Sequence, residues 1–295
     1  QHHAAPYLFV APFLILFALF GLYPIVKALS LSFYATSGPR DMVFVGFKNY
    51  AFLWEEFWRR GDFWKAVGNT VAFTLASICL QLPIALGLAL LLSQRGLRAV
   101  SLWRLAVFAP NLMGQVFTAV LFGVLLMPQF GLVNRGLALL FGRSWLDVKW
   151  LSEPAYVLPA IVLVSLWLYC GYNMIYFLAA LQAVDKDLQE AALVDGANAW
   201  QRFVAVTLPS IKPVAVFVLV TSTIGSLQLF ELPYQLLNGG GPDNRGLTIV
   251  GYLYVNGFRA GDLGYASAVG WVLALMMLAV SLLQVRLTGA GGREG

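Results

Sequence analysis

Six long apolar runs alternate with polar stretches along the chain, at residues 7–34, 67–93, 101–127, 155–182, 210–237 and 265–287. Each supplies the roughly 20 apolar residues that a helix needs to cross a bilayer. The pattern predicts six transmembrane helices in a single domain over residues 1–295. The first run, PYLFVAPFLILFALFGLYPIVKALSLSF, is too long for the apolar stretch of a cleaved signal peptide. Residues 35–66 are polar and carry Trp54, Trp58 and Trp64, a residue type that favours the membrane–water interface. SQRGLR (93–98) connects the second and third runs. Residues 128–154 and 238–264 read as longer loops, the latter opening on the turn-forming NGGGPD.

One polar segment interrupts the pattern. Residues 190–203, EAALVDGANAWQRF, lie between the fourth and fifth runs. DLQE (187–190) fits a capping box, with Asp187 at the helix start and Glu190 reaching back. Ala192, Gly196, Ala199 and Phe203 then fall on one helical face. Pro209 is expected to end one element and Pro213 to sit in the first turn of the next. Two readings stay open on these residues. One is an interfacial or loop helix in which Glu190 serves only the cap. The other is a docking helix presented to a soluble partner. Helices that lie on lipid bury Leu and Phe, whereas this face is built from Ala and Gly.

Composition agrees with a membrane protein. Hydrophobic residues make up 60% of the chain and charged residues 11%, against about 25% charged in soluble domains. The net charge of +5 is spread along the chain and gives no nucleic-acid signal. With both termini placed inside, the basic residues divide eight inside to ten outside, Arg40, Arg95 and Arg293 among them, so charge leaves orientation open. Cys79 and Cys170 read as buried packing thiols. QHHAAP reads as a trimmed or added end, and its His2 and His3 are the two histidines of the chain. No Ser–His, Cys–His or metal-ligand set can be built, and no G-x-x-x-x-G-K-[ST] phosphate loop occurs. No catalytic residue, resident cofactor or metal is expected.

Four runs carry polar stripes at helical spacing. They are Thr70, Thr74, Ser77 and Gln81; Asn111, Gln115 and Thr118; Ser165, Tyr169, Tyr172 and Tyr176, with Asn173 beside them; and Thr221, Gly225, Gln228, Glu231 and Gln235. Ser and Thr stripes often serve as interhelical glue, and the first stripe is read that way. Tyrosines offer flat apolar faces with hydroxyl tips, which suits a sugar. Glu231 reads as the acidic residue well inside a span, and Pro233 frees a backbone carbonyl near it. Its carboxylate could accept from sugar hydroxyls or bond a partner helix.

Glu190-Ala191-Ala192, Asp195-Gly196-Ala197 and Leu208-Pro209 resemble the EAA signature of binding-protein-dependent ABC importer permeases. GFKNY (46–50), FGLVN (130–134), LQAVDKDLQEAALVDGA (181–197), GGGP (239–242) and DLGYASA (262–268) are similar to further elements of the sugar-importing branch, so the likeness covers roughly the whole chain. The resemblance implies an all-α integral membrane fold, six transmembrane helices with a cytoplasmic coupling helix at about 187–203, as in type I importers. It implies that the EAA residues dock on an ATPase and that both termini are cytoplasmic, in a bacterial or archaeal inner membrane. The implied partners are a second homologous permease, two ABC ATPase subunits that hold ATP and Mg, an external sugar-binding protein and membrane lipid. The cargo it implies is a sugar, taken to be an oligosaccharide. By similarity to maltose-type permeases, the transmembrane sugar site falls near Ser165, Leu168, Tyr169, Tyr172, Gln228, Phe230 and Glu231, with Asn173 alongside. This chain departs there from the family's Asn, Phe and Tyr at several positions. The rival readings are an ABC permease for another solute, such as a glycerol phosphate or a polyamine, and an ion-coupled carrier with Glu231 at its coupling site.

Overall fold

The structure, a computed structural model, describes residues 5–38, 41–94 and 98–289. His2, His3, Arg40, Arg95 and Arg293 lie outside them, as does the centre of the SQRGLR connection. The first apolar run forms α1 (Ala5–Phe17), a π turn (Ala18–Leu22) and α2 (Tyr23–Leu31). A hairpin of β1 (Tyr34–Thr36) and β2 (Met42–Phe44) follows, with Ala35 opposite Val43, then α3 (Lys48–Trp58) and α4 (Asp62–Ser93). Next come α5 (Val100–Phe108), α6 (Gln115–Leu125), α7 (Leu132–Phe141) and α8 (Pro154–Gln182). The polar segment gives α9 (Lys186–Val194) and α10 (Ala199–Arg202), and a second π turn (Phe203–Thr207) leads into α11 (Leu208–Leu227). The chain continues through α12 (Glu231–Leu236), α13 (Ile249–Tyr254) and α14 (Leu263–Thr288). Among the described residues, five helices are long and apolar enough to cross a membrane, or six with the bent pair α5–α6 counted as one span.

Several expectations are corrected. The third run is not one rod, because it bends by 102° at Gly114. Pro110 sits in a tight 3-10 turn just before the bend, and Gly114 takes φ 74°, ψ 161°, a conformation open to glycine. The fifth run starts at Ala199 and ends at Leu227, so Glu231 lies beyond the span, in the first turn of α12. Pro209 does not end a helix. Two π turns stop just before an X-Pro pair, Tyr23-Pro24 and Leu208-Pro209, whereas a third, Val255–Arg259, has no proline after it. Proline lacks an N–H and crowds the carbonyl four residues back, and a wider turn relieves both faults without stopping the helix. The three stretches read as loops hold short elements, namely the hairpin with α3, then α7, then α13. Cys170 is buried as expected, but Cys79 faces outward.

The chain divides into two compact units. The first comprises residues 1–64 and 249–276. Its polar joints are specific. Asn49 donates its amide to the carbonyls of Ser32 and Tyr34, both at 2.9 Å, and Tyr50 donates to Ser32 Oγ at 2.8 Å. The NY of GFKNY thus clamps the chain where it leaves α2. Asp262 caps α14 by accepting from the Tyr265 amide at 3.0 Å, and it accepts from the Thr36 hydroxyl at 3.2 Å. A Cβ on Gly264 would lie 1.8 Å from the Tyr34 carbonyl oxygen, so that close approach requires glycine. No residue in the best apolar window of the Phe9–Leu31 rod is buried within the chain, which leaves it to lipid or a partner.

The second unit comprises residues 65–248 and 277–295. Its centre is α8, half of whose apolar window is buried. Phe73, Phe122, Leu126, Ile161, Val164 and Leu232 form one core, joining α4, α6, α8 and α12. Ala85, Ala89, Met174, Phe177 and Val218 form another, joining α4, α8 and α11. Asn134 of FGLVN is fully buried, donating to the carbonyls of Leu146 and Val148 and accepting from Trp150 Nε1. From the first turns of α4, Lys65 reaches Asp243 at 2.8 Å and holds its carboxyl below the usual range, while Asn69 donates to the carbonyls of Asn244 and Leu247. Apolar lipid tails provide no hydrophobic drive between helices, so close packing and interhelical hydrogen bonds carry association. Gly171 makes this concrete, since a Cβ there would lie 2.0 Å from the Val107 carbonyl oxygen of α5. Gly171→Ala is therefore expected to force α5 off α8 at a cost of about 1–3 kcal/mol. Thermal unfolding in detergent should show a drop of several degrees, and an unchanged midpoint would contradict this contact.

Candidate functional site

Two features bear on function. The first is the polar segment between α8 and α11. Its cap is Asp185, which accepts from the Asp187 amide at 2.9 Å. The cap expected at Asp187 therefore lies two residues earlier, the reciprocal box with Glu190 does not form, and Asp187 lies inside the first turn. Glu190 is exposed and makes no hydrogen bond or ion pair with a described residue. The helix expected over 187–203 is two helices. α9 closes with Ala197 N–H donating to Ala192 O and Gly196 N–H to Leu193 O, both at 3.0 Å, while Gly196 takes φ 79°. This is a Schellman ending. Asn198 and Gln201 then form a reciprocal capping box at the start of α10. The break removes the single face proposed for Ala192, Gly196, Ala199 and Phe203.

In its place the turn presents an apolar tip. Val194 is 88% exposed and Trp200 70%, with Trp200 packed on Phe203 at 5.7 Å. Ala191, Asp195 and Gly196 are exposed beside them, Ala192 and Ala197 are half-buried, and Leu208 and Pro209 are exposed at the start of α11. Gln189 donates to Thr207 Oγ at 2.9 Å, tying α9 to the π turn that feeds α11.

The second feature is a cavity of about 360 Å³ within the second unit. It is lined by Phe73 and Gln81 of α4, Gln115 of α6, Tyr169, Tyr172 and Asn173 of α8, Thr221, Ser222, Gly225 and Ser226 of α11, and Gln228 and Leu229 just beyond α11. The bent third span and the end of the fifth border it. Gln115 follows the bend at Gly114, and Gln228 opens the break between α11 and α12. Tyr172 and Tyr176 pair through their hydroxyls at 2.9 Å, and Ser222 donates to Asn173 Oδ1 at 3.4 Å. Among the described residues no Asp, Glu, Lys or Arg lines the cavity, and no cluster of His, Cys, Asp or Glu could hold a metal.

Of the pathway residues expected from sequence, Tyr169, Tyr172, Asn173 and Gln228 come together on the cavity wall. Ser165 and Leu168 are buried in α8 away from it. Phe230 packs on Tyr234 at 5.1 Å, and Glu231 is exposed on α12. The stripe through Gln228 and Glu231 presumed an unbroken helix, but Phe230 takes φ −144°, ψ −60° and the direction changes there. Thr221 and Gly225 reach the cavity from the same stripe as Gln228, Ser222 and Ser226 from outside any stripe, and Gln81 and Gln115 from stripes that were not assigned to it. A signal for Gln81 was present in its own stripe. Thr70 and Thr74 donate to the carbonyls of Ala66 and Thr70 at 2.8 Å, a back-bond that short hydroxyl side chains close and a glutamine does not.

With this geometry in hand, the comparison with known proteins gives the class. Residues 81–290 match the model of the binding-protein-dependent transport system inner membrane component family, and the chain belongs to that family. It is a multi-pass inner-membrane permease, a transporter component and not an enzyme. Among its relatives is the arabinooligosaccharides transport system permease protein AraP of Bacillus subtilis (strain 168), 37% identical over 294 residues that cover 99% of this chain and 91% of AraP. The lactose transport system permease protein LacF of Rhizobium radiobacter is 39% identical over 280 residues, 94% of this chain and 92% of LacF. A solved bacterial ABC transporter involved in the import of the acidic polysaccharide alginate has a chain that superposes with a TM-score of 0.83 at 25% identity, covering 98% of this chain and 96% of its own.

The Schellman turn yields a test. A Cβ at Gly196 would meet no atom within 4 Å, so the cost of adding one is conformational alone. Gly196→Ala is expected to destabilise the turn by about 1–2 kcal/mol, with Gly196→Asn milder. Hydrogen exchange at Ala197 and Asn198 should accelerate in the alanine variant, and unchanged exchange would remove the turn from the account.

Proposed function

We propose that this chain is one of two transmembrane subunits of an ATP-driven ABC importer for a sugar, an oligosaccharide in particular. The observation that carries the reading is the cavity wall. Aromatic faces of Phe73, Tyr169 and Tyr172 stand beside the amides of Asn173 and Gln228, with no described ionic side chain among them. Sugar rings have apolar CH faces and hydroxyl edges, and this lining offers a partner for each. Relatives named for arabinooligosaccharides, lactose and trehalose/maltose support the same cargo class. An anionic cargo such as a glycerol phosphate would find no cation on this wall.

In this reading residues 1–295 act as one permease domain, and α9–α10 with Leu208 and Pro209 form the coupling element. The tip at Val194 and Trp200 enters a cleft on a cytoplasmic ATPase, with Glu190 free to meet a basic group there and Ala191, Ala192, Asp195, Gly196 and Ala197 forming the turn. Two ATPase subunits hold ATP and Mg, a second permease completes the pathway, and an external binding protein delivers the sugar. Both termini then face the cytoplasm of a bacterial or archaeal cell. ATP-driven closure of the ATPases moves α9 and, through Gln189 and Thr207, α11, switching access from inside to outside by rigid motion of helices.

Reconstitution of the full assembly in liposomes tests this. ATP turnover is expected to rise with binding protein loaded with arabinotriose, lactose, maltose or trehalose. Turnover that ignores all four and responds to glycerol phosphate would contradict the assignment.

A further inference from the structure

Gln81 is 6% exposed, lines the cavity and makes no hydrogen bond with a described residue. Its amide offers two donors and a two-lone-pair acceptor, all unfilled. Gln115, across the cavity on α6, keeps its Oε1 buried without a partner. A buried amide oxygen without a partner, such as that of Gln115, is costly, and structures retain one where a water or ligand fills it. Both glutamines open on the same space as Tyr169, Tyr172, Asn173 and Gln228.

The alternative role, glue between helices, requires bonds that neither side chain fully makes. Ser77 and Ser165 are also buried without partners, but they do not line the cavity. Glutamine combines donor and acceptor in one neutral group, and sugar hydroxyls also both donate and accept. A pair of amides facing a wall without described ionic groups therefore suits a neutral polyhydroxylated ligand over an ion.

Resting on the sugar-permease reading, we infer that Gln81 and Gln115 contact the sugar in transit and set which hydroxyl patterns pass. This gives a selective role to α4 and to the bend in the third span, whose polar stripes otherwise read as packing.

The experiment uses the complete reconstituted transporter carrying Gln81→Leu or Gln115→Leu. The probe is whichever of arabinotriose, lactose, maltose and trehalose the wild type imports fastest, together with its singly deoxygenated analogues. Loss of one sugar hydrogen bond is expected to slow uptake at subsaturating sugar roughly 5- to 10-fold. Discrimination between the parent sugar and one deoxy analogue should collapse toward unity. The same binding protein serves both transporters, so its own preferences cancel in the comparison. The melting temperature should hold, because neither glutamine makes a hydrogen bond with a described residue that leucine would lose. Wild-type uptake and discrimination in both variants would overturn the inference, as would slower uptake with a lower melting temperature and an unchanged deoxy-sugar ratio. Failure of the wild type to import any panel sugar would instead remove the underlying reading, and that result is seen before a variant is made.

Discussion

A backbone inside hydrocarbon must satisfy its own hydrogen bonds, and the spans of this permease are organised by that constraint. Continuous helices meet it along their length, so an interruption is tolerated where it is covered by protein or lines a water-filled space. One of the six spans is bent, at Gly114, and the fifth ends at Leu227, and the residues just beyond the bend and that end, Gln115 and Gln228, both line one cavity. The π turns before Pro24 and Pro209 show the contrasting case, in which the helix absorbs the fault and continues. The cavity therefore sits where the helices give way.

The same economy governs the polar residues. Thr70, Thr74, Thr221 and Thr223 return their hydroxyls to carbonyls of their own helices. Gln284 donates to Thr223 Oγ at 2.7 Å and joins α14 to α11. Asn49 and Asn134 each bind two backbone carbonyls where the chain turns after a span. The motifs that carry the family likeness, GFKNY, FGLVN and DLGYASA, act here as joints of the fold. They mark the architecture and do not touch the cavity. The long amides that remain free on the cavity wall are the part left over for cargo.

Much of this was legible in the sequence and some was not, for identifiable reasons. Hydrophobic length locates five of the spans within a few residues and the fifth in the chain about ten residues too late, because bilayer thickness sets the length of a run and not where its helix starts. The bend at Gly114 was hidden because Gly and Pro are common in membrane helices and seldom break them. Glu231 was placed inside a span because the apolar run continues through Leu232 and Pro233, although the helix ends at Leu227. The division of the polar segment into α9 and α10 could have been read from Gly196 followed by Asn198 and Gln201, which are a helix stop and a capping box in succession. Tyr169, Tyr172 and Asn173 were found because α8 is straight where they lie. Gln81 and Gln115 were missed because a polar stripe looks uniform until the threonines prove to bond their own helix and the glutamines do not.

The central claim is that the cavity between the two breaks is a wet path occupied by sugar. Thiol accessibility tests it most directly, in a background with Cys79→Ser and Cys170→Ala and in open membrane fragments, so that an impermeant reagent reaches both faces. Gly225→Cys, on the cavity wall, should be labelled, and transported sugar should protect it, while Val164→Cys in the packed core should stay unlabelled. An unreactive Gly225→Cys, or one labelled equally with and without sugar, would contradict the account.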